Sequence, residues 1–174
     1  LITMQAVSPV VACSGDQVSA ISFSGNAQPG VFNWTNSNPS IGIAANGTGA
    51  IPSFVATNPG SSAQVAIITV TPGFVNGVSA CTISPVTFSV TVNPLPQLVA
   101  VPSQVLCVGS LVNALNFNSN TINTNYTWTN SNSTIGLSSN GTGSIPAFLA
   151  QNTSNSAQVG NLVITSTYTN AGLS

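Results

Sequence analysis

The sequence predicts an all-β protein: two tandem antiparallel β-sandwich domains arranged end to end, the second lacking its last strand within this chain. Three observations carry that expectation. First, Trp34-Thr35-Asn36-Ser37-Asn38 returns unchanged, 94 residues later, as Trp128-Thr129-Asn130-Ser131-Asn132. At that offset 28 of the 68 positions from Cys13 to Ala80 match those from Cys107 to Ser174, so the chain is a tandem repeat. Second, short runs rich in Val, Ile, Thr and Phe are punctuated by Gly, Pro and Asn, the pattern of strands and turns. Third, no segment of adequate length shows helical periodicity. With 43% hydrophobic and 1% charged residues, the composition is that of a chain with a core, not a disordered one.

The period sets the domains at residues 1–94 and 95–174, each of a size that can hold its own core. Met4 to Ala12 is an apolar lead-in suited to a first strand, with Pro9 at a bend or an edge. Cys13 to Asp16 reads as a turn in which the Asp16 carboxylate bonds turn amides. Gln17 to Phe23 is a strand whose alternation slips at Ala20-Ile21, which fits a bulge. Gln28-Pro29-Gly30 is a turn, and Val31 to Asn36 a strand with Phe32 and Trp34 on one face. Asn38-Pro39 closes it, and Ile41-Gly42-Ile43 is a short piece. Asn46-Gly47-Thr48-Gly49 then reads as a tight connection with positive-φ positions.

Ile51 to Thr57 and Ala63 to Thr71 are expected strands, parted by Asn58-Pro59-Gly60. The last strand, Val86 to Val92, alternates most cleanly, with Val86, Phe88, Val90 and Val92 inward and Thr87, Ser89 and Thr91 wet. The second repeat follows the same order but has no counterpart of residues 81–94. Between the repeats, Val92-Asn93-Pro94-Leu95-Pro96 is a short, semi-rigid linker, and the expected outcome is a rod.

The cysteines are Cys13, Cys81 and Cys107, and the twin of Cys81 would fall one residue beyond Ser174. The reading is a Cys13–Cys81 disulfide in the first repeat, with the partner of Cys107 outside this segment. That implies an oxidising, extracellular setting; the alternative is free buried thiols in an intracellular protein. No stretch approaches the roughly 18 apolar residues of a membrane span. Residues 1–12 lack a signal-peptide pattern, so any export signal has been removed or lies outside the segment.

Cys-x-Gly at residues 13–15, Phe23-Ser24-Gly25-Asn26, Phe32-Asn33-Trp34-Thr35-Asn36 and Ile41-Gly42 together carry a resemblance. So do Gly47 to Phe54, Gly141 to Phe148 and Val92-Asn93-Pro94. In these the chain resembles the Ig-like, PKD-like tandem repeats of very large secreted surface proteins of Bacteroidota-type bacteria. The resemblance covers essentially the whole chain. It implies Ig-like sandwiches in an extracellular stalk or adhesin, with no catalytic residues to carry over. The incomplete second repeat and the near-total loss of charge depart from that pattern.

Composition excludes most chemistry. The chain has no Lys, Arg or His, and Asp16 is its one acidic side chain. Nothing titrates near neutrality to act as a general acid or base, and one carboxylate cannot form a glycosidase pair. Hydroxyls without a base are weak nucleophiles. Calcium needs several oxygen ligands, carboxylates among them, and zinc needs clustered Cys and His. Without cations nothing neutralises phosphates, so nucleic acid is a poor partner. No enzyme activity, cofactor, metal or membrane insertion is expected.

Asn-x-Ser/Thr sequons occur at Asn33, Asn46, Asn125, Asn132, Asn140 and Asn152, either by chance in an Asn-rich chain or as glycan acceptors. Asn46 and Asn140 are the better acceptor candidates. Trp34 and Trp128, with Phe23, Phe117, Phe54 and Phe148, are read as core. The leading expectation is a structural repeat unit of an extracellular filament, stalk or adhesin that self-associates through its neutral surface. The second sandwich is completed either by more polypeptide or by strand donation from Leu1 to Ala12 of a neighbour. The alternative is a carbohydrate-binding or adhesive module, with the Trp residues as stacking platforms.

Overall fold

The computed structural model describes residues 3–25, 30–76, 79–82 and 84–170, with the side chains of residues 74–83 outside that description. All the described regular structure is strand, apart from two short 3₁₀ turns. The chain divides into two units, Leu1–Leu95 and Pro96–Ser174.

In unit 1 the strands are β1 (Val10–Cys13), β2 (Gln17–Val18), β3 (Gly30–Asn36), β4 (Asn46–Thr48), β5 (Phe54–Val55), β6 (Gln64–Asn76), β7 (Ser79–Thr82) and β8 (Val86–Asn93). The main sheet has the order β1-β8-β6-β3-β4, with β7 also on β6, while β2 and β5 pair separately. The isolated bridge between Ile21 and Ile51 extends that second layer. The layers enclose a core that includes Trp34, Ile41, Ile51, Phe54, Ile68, Val70, Phe88, Val90 and Val92. Every pairing between these strands is antiparallel except β1 with β8, which is parallel.

Several expected elements come out differently. Asn46-Gly47-Thr48 is no turn: it is the edge strand β4, paired residue for residue with Thr35, Trp34 and Asn33. Only Gly49 of this block has a positive φ, +71°. Gln17 to Phe23 and Ile51 to Thr57 shorten to two-residue strands and a bridge, and the lead-in from Met4 is a strand only from Val10. Of the expected turn at residues 28–30, only Gly30 is described, as the first residue of β3; residues 28 and 29 lie outside the described residues.

β6 runs past its expected end through Pro72. That is tolerated because β8 pairs with it only as far as Val70, and β7 starts at Gly73. Pro72 falls in the gap, where its missing N–H interrupts no ladder bond on that side. β8 matches its expected span, yet Thr91 is buried rather than wet.

The expected Cys13–Cys81 disulfide is not formed. Cys13 is an exposed free thiol, as is Cys107. The register explains why. Cys13 lies beside Asn93, next to the residue that faces Gln64, at the start of β6, whereas Cys81 faces Phe74 near the far end. At about 3.3 Å per residue the two are roughly 30 Å apart, and a disulfide needs Cα atoms within about 7 Å.

Unit 2 repeats the plan with β9 (Leu111–Val112), β10 (Thr124–Asn130), β11 (Asn140–Thr142), β12 (Phe148–Leu149) and β13 (Leu162–Tyr168). Its sheets are β11-β10-β13 and β12-β9. Fewer side chains are fully enclosed: Phe117, Trp128, Leu137 and Ile145 form the buried centre, with Leu162 and Ile164 only partly covered.

Candidate functional site

The block that recurs most faithfully, Trp-Thr-Asn-Ser-Asn, forms the end of a central strand and the reversal after it. In unit 1 each of its residues except Thr35, which faces solvent, has a distinct structural task. Trp34 and Asn36 alternate inward from β3 and are buried. The Asn36 side-chain amide donates to the carbonyls of Ile43 (3.0 Å) and Ala44 (3.3 Å), and its Oδ1 accepts the N–H of Asn38 at 2.9 Å. A buried backbone carbonyl needs such a partner, because leaving it unpaired costs about 1–3 kcal/mol. Ser37 exchanges bonds with Ile67, donating its N–H (3.1 Å) and accepting the Ile67 N–H on its Oγ (2.8 Å). The Asn38 amide reaches Gln64 Oε1 at 3.3 Å.

Unit 2 reproduces this bracket of bonds and adds one, from the Asn130 amide to Asn132 O at 2.9 Å. The Asn130 amide donates to Leu137 (3.0 Å) and Ser138 (3.3 Å), and its Oδ1 accepts the Asn132 N–H at 3.1 Å. Ser131 exchanges bonds with Asn161, and the Asn132 amide meets Gln158 Oε1 at 3.3 Å. The bracket thus accounts for the repeated Gln64 and Gln158 as well. Sequence reasoning did not single out Asn36 and Asn130; their identity at the 94-residue offset was the signal available.

Gly47 and Gly141 belong to the same unit of construction. A Cβ on Gly47 would sit 2.3 Å from a Trp34 ring carbon, and one on Gly141 would sit 2.2 Å from Trp128. The edge strand therefore lies flat on the indole, which only glycine permits. Both indole Nε1 atoms are buried without a hydrogen-bond partner. Trp34 also lines a hollow of about 320 Å³ with Ile43, Thr48, Ile51, Pro52 and Phe54.

The other expected positions are distributed over the two units. Phe54 and Phe117 are buried, while Phe23 and Phe148 are partly buried against their clusters. Phe23 touches Phe32 and Phe88 with ring centroids 5.8 and 6.3 Å apart. Asp16 accepts the Cys13 N–H on Oδ2 at 2.8 Å, closing its turn. Asn46 and Asn140 are exposed on the edge strands β4 and β11. Among the described residues no three His, Cys, Asp or Glu side chains are grouped to hold a metal ion. No helix among them is long and apolar enough to cross a membrane. No protein-family model and no curated relative matches the chain.

Proposed function

We propose that the chain is a structural repeat segment of an extracellular filament, stalk or adhesin, whose units associate end to end or side by side. The observation that carries this reading is the duplicated bracket. The side chains that recur between the repeats are spent on Trp–Gly packing and on bonding one stretch of backbone to another, so the repeat preserves a shape. The surface supports association: with a net charge of −1, little repulsion holds molecules apart. Val105, Val108, Val159 and Val163 add exposed apolar area in unit 2.

The carbohydrate-binding alternative has less support. Trp34 and Trp128 are each 4% exposed, so neither ring offers an open face for a sugar to stack on. Glycans, if attached, would be carried at Asn46 and Asn140, where nothing of the fold has to move.

The test is electron microscopy of the chain at high concentration, with light scattering alongside. Rods or fibres with an axial period of one or two sandwiches are expected. Strictly monomeric particles at all concentrations would overturn the structural reading and return attention to ligand binding.

A further inference from the structure

Each unit ends its Trp-bearing sheet on the same short strand. β4 closes the order β1-β8-β6-β3-β4 and β11 opens the order β11-β10-β13, and both are the triplet Asn-Gly-Thr. In an antiparallel pair, alternate residues bond to the neighbouring strand. Ala45 O accepts from Asn36 N and Gly49 N donates to Phe32 O, both at 2.8 Å, so Gly47 between them also bonds to β3. The main-chain N–H and C=O of Asn46 and Thr48 therefore point away from β3, where no further strand lies among the described residues. In unit 2, Ser139 O and Gly143 N make the corresponding bonds, to Asn130 and Tyr126, and leave Asn140 and Thr142 facing outward. Asn46, Thr48, Asn140 and Thr142 are all exposed.

Only brevity guards these edges. Edge strands are ordinarily protected from pairing by charged side chains, proline or a bulge. Asn-Gly-Thr has none of these: it pairs residue for residue with the central strand, and the chain has no Lys or Arg to place there. The triplet is also its own complement. Turned antiparallel about Gly47, a second β4 sets its Thr48 opposite Asn46 and its Asn46 opposite Thr48, so the outward N–H and C=O groups meet one another. Gly47 then faces Gly47 of the second copy at a non-hydrogen-bonded position, where Cα atoms approach to about 4.5 Å. The glycine that lets the edge lie flat on the indole also keeps side chains out of that approach.

We infer that β4 and β11 are joints through which copies of this chain add to one another, strand to strand, the partner being a second copy. Because the two edges are the same triplet, β4 of one copy fits either edge of another. Two edges make each chain bivalent, so pairing continues from copy to copy instead of closing at a dimer. The inference rests on the self-association proposed above and deepens it by naming the contact.

The test uses the full chain without glycans, since Asn46 and Asn140 are also the acceptor candidates. Association is followed by sedimentation velocity over a concentration series, and its place by hydrogen exchange read amide by amide. Growth beyond the dimer is expected, with protection rising at least about tenfold at Asn46, Thr48, Asn140 and Thr142. Gly47 and Gly141, already bonded within their own sheets, should not change. Thr48→Pro removes an outward N–H without touching the bonds to β3, which an edge strand tolerates. That variant alone, or Thr142→Pro alone, should stop at dimers, and the two together should leave monomers. Thr48→Lys with Thr142→Lys keeps both N–H groups and sets a charge on each edge; it should also give monomers, and it carries the test if the proline pair does not fold.

A folded double variant that associates like the unaltered chain, or growth without protection at the outward amides, would overturn the edge joint and leave the structural reading standing. Dimers with protected edges that never grow would support the joint and overturn the filament. An unaltered chain that stays monomeric at all concentrations would overturn both.

Discussion

Asn36 and Gly47 show how much of this fold rests on side chains with no chemistry of their own. Asn36 is a buried amide that bonds two carbonyls and one N–H of the following loop. Truncating it leaves all three without that partner, the Ile43 carbonyl in a buried position and the other two in partly buried ones. Asn36→Ala is therefore expected to cost about 2–4 kcal/mol in urea unfolding, while Asn33→Ala on the exposed face of β3 stays within about 0.5 kcal/mol. Equal effects at the two positions would remove the bracket from the account. The glycines give a second contrast. Gly47→Ala drives a methyl into the Trp34 ring, whereas Gly49→Ala meets open space and suffers only its positive φ. Losses of about 3 and about 1 kcal/mol respectively are expected from the same unfolding measurement.

At the scale of elements, the length of β6 decides the disposition of the cysteines. Its thirteen residues hold β8 along one stretch and β7 along the next, so Cys13 and Cys81 are carried to opposite ends. Cys13 and Cys107 being free, no disulfide within the chain supports the fold. A reducing agent should leave the thermal midpoint unchanged, within about 1 °C; a fall of several degrees would mean that a crosslink was contributing after all. β13 is the weaker counterpart of β6, since it has β10 on one side and no strand on the other among the described residues. Its amides from Leu162 to Ile164 should exchange at least about tenfold faster than those of Ile68 to Val70. Equal protection would mean that the open edge is already covered.

For the whole molecule, the near-absence of charge governs the response to solution conditions. Stability depends on pH only through groups that bind protons differently in the folded and unfolded chain. With one Asp and no Glu, His, Lys or Arg side chain, almost no such groups exist between about pH 5 and 8. The urea midpoint should therefore be flat across that range and nearly insensitive to salt. A slope approaching one proton would point to a coupled group that the composition does not contain.

The strand-rich class, the duplication and the inward face of the Trp strand were all legible in the sequence. They depend on alternation and spacing along a single segment, which a linear chain records directly. The near-absence of titratable side chains was equally legible, because absent side chains stay absent in any fold. Tertiary structure alone decided the rest. Asn-Gly-Thr has turn propensity, yet it becomes a strand because β3 offers an edge and the Trp34 face admits only glycine there. The cysteine offset suggested a bridge, but sequence spacing contains no register, and the register puts the backbones of Cys13 and Cys81 towards opposite ends of β6. Which strands flank β8 in unit 1, β6 antiparallel and β1 parallel, emerged only with the strands in place, because a neighbour is a property of pairing between segments and not of any one of them.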